Sequence, residues 1–154
     1  MSLYGVVLLV GIVAGLRAFI APAAVSWFAG MHPSAFLGTW SSFMTSIWAR
    51  GILSVLVLVE LVTDQLPTTP SRKAPMQLAP RLLSGAFCGA VLGASSNNSV
   101  GCALVGIVGA AMGTFGGFEF RSRLAKLFGG KDRPAALVED VVALAIVLIA
   151  VVNL

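Results

Sequence analysis

The sequence predicts an all-α polytopic membrane protein of about five transmembrane helices, and three observations carry that reading. Hydrophobic residues make up 58% of the 154 positions and charged residues only 10%, with a mean hydropathy of +0.97. A soluble domain carries roughly 25% charge, so this chain has too little to cover a water-facing surface. Several apolar segments approach the roughly 20 residues needed to cross a hydrocarbon core. Basic residues, finally, gather in two connections: all but Arg17 and Arg50 of the ten lie at Arg72, Lys73, Arg81, Arg121, Arg123, Lys126, Lys131 and Arg133. That clustering follows the positive-inside rule and accounts for the net charge of +4 and a pI near 9.7 without nucleic acid.

The expected spans run about Leu3–Ala24, Ile52–Thr63 (extended upstream to about Ile47), Ala79–Ser95, Val100–Phe118 and Ala135–Asn153. The third is short and rich in small residues, so whether it crosses fully stays open. With five spans the two basic connections fall on one side, which becomes the cytoplasmic side. The N-terminus is then cytoplasmic and the C-terminus outside. Met1-Ser2-Leu3-Tyr4 lacks a basic n-region and Arg17 interrupts the apolar run, so the first segment reads as a spanning helix rather than a cleaved signal.

Arg17 stands inside the run Val6–Ala29. A charge near bilayer depth costs roughly 2.5–3.5 kcal/mol even on insertion scales, which marks it as a functional candidate. Pro22 lacks a backbone N–H and leaves the carbonyl of Ala18 unbonded, so the first helix is expected to be broken there. The plainer account is an arginine that snorkels to the headgroups above an ordinary kink.

In the first connection Phe36, Leu37, Trp40, Phe43, Met44, Ile47 and Trp48 recur at helical offsets, with serines and threonines mostly opposite. An interfacial amphipathic helix is expected, near an outer aromatic belt of Trp27, Trp40 and Trp48. The third and fourth segments carry glycine stripes, Gly85, Gly89, Gly93 and then Gly109, Gly113, Gly117. Such stripes let helix backbones approach closely, either within one chain or across a dimer. The short Ser95–Ser99 connection makes the pair a tight hairpin.

Glu60 and Asp64 share a face of the second span. By helix rise Glu60 lies near the midplane, and Arg17 is its expected partner. Arg121 closes the fourth span, while Glu139 and Asp140 are expected near the start of the fifth helix, where the N-terminal dipole favours them. The halves 1–66 and 100–154, flanking a central helix at 79–95, each combine a small-xxx-small helix, an arginine and an acidic helix. They read as a weak inverted-topology repeat within one transmembrane domain.

Several of these residues occur together in a known family. Ala14-Gly15-Leu16-Arg17-Ala18-Phe19, Glu60-xxx-Asp64-Gln65-Leu66-Pro67, Arg81-xx-Ser84-Gly85-Ala86, Gly113-Thr114 and Ala136-Leu137-Val138-Glu139-Asp140 resemble the bacterial membrane family catalogued as domain of unknown function 4126. The resemblance covers nearly the whole chain in the same order. It implies a small multi-pass protein of a bacterial inner membrane, with no assigned activity to transfer. Many relatives carry a lysine-isoleucine pair where this chain has Gln65-Leu66, so the resemblance implies no role for a cation there.

Three functions compete. The first is a small transporter or channel, in which Arg17, Glu60, Asp64, Arg121, Glu139 and Asp140 line a path for a small ion or anionic solute, with a homodimer supplying the space. The second is an accessory subunit whose buried charges are internal ion pairs. The third, an enzyme, has little to work with, since His32 is the one histidine and no catalytic triad, HExxH, metal-ligand cluster or phosphate loop is present. No cofactor and no metal is expected, and Cys88 and Cys102 read as small packing residues.

Overall fold

The computed structural model describes residues 1–63, 75–127, 129 and 132–153. These residues are organised as α-helices: α1 (Leu3–Leu16), α2 (Ile20–Met31), α3 (Ile47–Thr63), α4 (Pro75–Ala94), α5 (Ser99–Leu127) and α6 (Asp132–Val152). Two of them, Ser99–Leu127 and the Pro134–Val152 stretch of α6, are long and apolar enough to cross a membrane; α1 and α2 are apolar but shorter.

Glycine sets the centre of the molecule. A Cβ at Gly89 would collide with the carbonyl of Cys102, and one at Gly85 would stand 2.5 Å from that of Gly106. The α4 stripe therefore seats α5 directly against it. Gly109 and Gly113, on α5, turn instead to α1, where a Cβ would run into the carbonyls of Leu8 and Ile12. Gly11 and Gly15 of α1 complete that seam against Gly106 and Ala110. Both stripes thus pack inside the chain, though against different neighbours; Gly117 is also buried. The α4–α5 turn closes at Asn97, whose φ of 53° is one that asparagine tolerates better than most side chains.

The first apolar segment departs from expectation. It is broken, as expected, but it does not go on to span: its two short helices enter and leave at the same end. The Tyr4 hydroxyl, at the start of α1, accepts from Asn98 Nδ2 at 2.6 Å, and Trp40 Nε1, beyond α2, donates to Ser99 Oγ at 3.3 Å. In between, α2 runs antiparallel to α3: Ala18 and Phe19 meet Glu60, and Trp27 Nε1 donates to Ser54 Oγ at 3.2 Å. Hence α1 descends, turns at Arg17–Phe19, and α2 climbs back. The N-terminus shares an end with the Ser95–Ser99 turn, where a continuous helix would have set it opposite. Four helices, α3 to α6, traverse the molecule beside this re-entrant hairpin.

The break itself lies at Arg17, which ends α1 in an extended conformation (φ −142°, ψ 118°). Pro22 falls in the first turn of α2, where a missing N–H costs nothing because those donors have no helical acceptor. The two halves set out from the sequence accordingly fold differently: residues 3–31 make a broken hairpin and Ser99–Leu127 one unbroken helix.

The expected amphipathic helix in the first connection is replaced by two short 3-10 turns, Pro33–Ala35 and Trp40–Thr45. Gly38 separates them at φ 76°. Local side-chain bonds, from Thr39 Oγ1 to the Phe36 carbonyl and from Thr45 Oγ1 to that of Ser42, hold the backbone in turns that compete with a helix. Phe36 and Met44 are buried beneath, while Leu37, Trp40 and Phe43 stay exposed.

Candidate functional site

Breaking a helix in the interior leaves its last carbonyls and the next helix's first N–H groups without partners. The tip of the α1–α2 hairpin meets that demand with side chains from three other helices. At the end of α1, Arg81 of α4 donates through Nη1 to the carbonyls of Gly15 (2.7 Å) and Leu16 (2.5 Å). Thr114 of α5 donates to the Gly15 carbonyl as well, at 3.1 Å. Ser84, one turn after Arg81, donates to the Ala18 carbonyl at 2.5 Å. That carbonyl is the one Pro22 leaves unbonded, as its position four residues upstream requires.

At the start of α2, the Glu60 carboxylate accepts from the N–H groups of Ala18 (2.6 Å) and Phe19 (2.9 Å). The charges match the helix dipoles: a cation at the C-terminal end of α1 and an anion at the N-terminal end of α2. Ionised partners also make these bonds roughly twice as strong as neutral ones.

Arg17 itself reaches α6. Its Nε donates to Asp140 Oδ1 at 2.7 Å, and its Nη2 lies 2.5 Å from the same oxygen. The expected Arg17–Glu60 pair is thus replaced by Arg17–Asp140, with Glu60 engaged on backbone. One residue earlier on α6, Glu139 is fully buried and sits 3.8 Å from Arg121 Nη1. Glu139 and Asp140 lie two turns inside α6, beyond the reach of its N-terminal dipole, so ion pairing and not the helix start accounts for them.

Arg17, Arg81 and Glu139 are each no more than 1% exposed, and Glu60 and Asp140 are 8% exposed. The described residues thus bring Arg17, Glu60, Arg121, Glu139 and Asp140 to one region together with Arg81, with Arg17–Asp140 and Arg121–Glu139 as ion pairs and Glu60 and Arg81 on backbone groups. Asp64 lies outside the described residues. Beside the hairpin tip a cavity of about 200 Å³ is lined by Phe19, Glu60, Thr63, Gln77, Pro80 and Arg81. It offers a carboxylate, an arginine, a hydroxyl and an amide to a small polar guest.

Arg81, Ser84 and Thr114 are the site residues that span-by-span reasoning left out. In the sequence Arg81 falls with the basic connections, although it stands six residues into α4. The signal was its spacing to Ser84, which puts both on one face of that helix. No group of three or more His, Cys, Asp or Glu is placed to hold a metal among the described residues. Cys88 and Cys102 are buried thiols.

No curated protein and no solved structure matches this chain. A family model does, over residues 5–153, and through it the protein belongs to the family described as a domain of unknown function (DUF4126).

Proposed function

We propose that this protein is a small membrane-embedded transporter or channel for a small ion or anionic solute, with the hairpin tip as its site. The observation that carries the reading is a pair of helix ends meeting in the interior, held by Glu60, Arg81 and Asp140 next to a polar cavity. Within a bilayer, non-helical backbone is tolerated where it is enclosed by protein or lines such a cavity, and half-helix termini are the usual ion-binding element of transporters. The basic connections put the end opposite Tyr4 in the cytoplasm of a bacterial cell, in the inner membrane. Both termini then face outward. A homodimer is the proposed working form, because the cavity at the hairpin tip, about 200 Å³, is small for a permeation path.

The test is flux through purified protein in liposomes loaded with chloride, potassium or a pH dye. Arg17→Gln is expected to abolish the flux, and adding Asp140→Asn is expected not to restore it. A second reading, an accessory subunit, is favoured by the complete burial of Arg17 against Asp140. It would be the answer if the wild type carries none of these ions and the double variant is fully stable.

A further inference from the structure

We infer a phospholipid site between α2, α3 and α6, with the acyl chain in an apolar groove and the phosphate at Arg50. The inference rests on the membrane reading and is independent of transport. The groove has a volume of about 340 Å³, and Ile20, Ala23, Trp27, Val57, Val147 and Leu148 are among its lining. Its walls are apolar but for Ser54, and nothing in the described chain fills it. An open slot of this kind, facing hydrocarbon, suits a flexible alkyl chain, because burying apolar surface there leaves no polar group unpaired.

What selects a phospholipid over any other apolar guest is the cation at one end. Arg50 lies one turn above Ser54, a groove residue, on the same face of α3. Its guanidinium stands 5.6 Å over the ring of Trp27, another groove residue. The surface beneath it is shaped for it: a Cβ at Gly30 would lie 2.7 Å from the guanidinium carbon. Arg50 nevertheless has little to bond. Its Nη2 makes one long contact of 3.5 Å with the Thr45 carbonyl, its Nε is buried without a hydrogen-bond partner, and no carboxylate among the described residues pairs with it. A planar guanidinium held against an aromatic ring, with donors to spare, is a fitting receptor for phosphate oxygens. Arg50 also sits at the Tyr4–Trp40 end, where headgroups of the outer leaflet would lie, among the exposed Trp27, Trp40 and Trp48.

The experiment compares two lipids with identical chains, phosphatidylglycerol and diacylglycerol, added to detergent-purified full-length protein. Retention is read by native mass spectrometry and stabilisation by melting temperature. Wild type is expected to keep one phosphatidylglycerol at least tenfold better than diacylglycerol, and Arg50→Gln to lose that preference. Ala23→Phe, which fills the groove and leaves Arg50 in place, is expected to lower the retention of both. Equal retention of the two lipids by wild type, or an unchanged preference in Arg50→Gln, would overturn the site. Carbonate washing of membranes reads embedding separately, so a failure of the membrane reading is told apart from a failure of the lipid site. If Arg50→Gln does not fold, Gly30→Ala, which displaces the guanidinium, gives the same comparison.

Discussion

Arg17 and Glu60 stand out in the sequence because a charge in an apolar run must find a partner. Their partners did not, and the reason is depth. Helix rise from Leu3 sets Arg17 about 21 Å along whichever end α1 starts from, so depth alone does not choose between Glu60 and Asp140. Asp140, a pathway candidate in the sequence whose plainer account is a helix start, is the arginine's partner at 2.7 Å. A double-mutant cycle tests this assignment. Arg17→Gln or Asp140→Asn alone is expected to cost about 3–5 kcal/mol, since each leaves a buried charge uncompensated, and the pair together is expected to cost much less than the sum. Arg17 paired with Glu60→Gln should show little coupling by comparison. Glu60 has its own signature: Glu60→Ala strands the buried Ala18 N–H, at about 1–3 kcal/mol, and the half-buried Phe19 N–H, at less. Chemical denaturation in detergent measures all of these, and a stronger coupling to Glu60 than to Asp140 would refute the geometry.

At the scale of helices, the glycine pattern was legible because period-four glycines have one physical use, close backbone approach. Which helix each stripe meets was not, since α5 divides its glycines between α4 and α1 and spacing alone does not reveal a shared neighbour. The amphipathic pattern after α2 misled for a related reason. Helical periodicity records which side chains are apolar, but the run of serines and threonines offers backbone groups other partners, and Gly38 breaks the run. The glycine contacts give a graded prediction. Gly89→Leu drives a branched side chain into the Cys102 carbonyl and is expected to abolish folding or lower the melting temperature drastically. Gly116→Leu, where a Cβ meets nothing within 4 Å, is expected to leave it nearly unchanged. Melting curves in one detergent decide the matter, and equal effects at the two sites would contradict the described seams.

For the whole molecule, composition and helical class were plain from charge content and apolar run length, whereas the path of the first segment was hidden. Twenty-odd apolar residues read as one crossing, and nothing in hydropathy distinguishes them from two half-crossings joined at Arg17. The distinction depends on long-range partners, since a turn in the interior survives only where Glu60, Arg81, Ser84 and Thr114 take up its backbone groups. It also sets the N-terminus at the end of the Ser95–Ser99 turn, which makes it measurable. In a background with Cys88 and Cys102 replaced, single cysteines at Ser2, Asn97 and Arg123 report the two ends. Tyr4 touches Asn98, so positions 2 and 97 are expected to react with a membrane-impermeant maleimide from the same side of intact cells. Arg123, exposed near the far end of α5, is expected to react only after the membrane is opened. Reaction at 97 but protection at 2 would mean that the first segment crosses once, with the hairpin undone and Glu60 left without the helix start it caps. Reaction at 123 in intact cells would reverse the orientation while leaving the hairpin standing, because positions 2 and 97 would then be protected together.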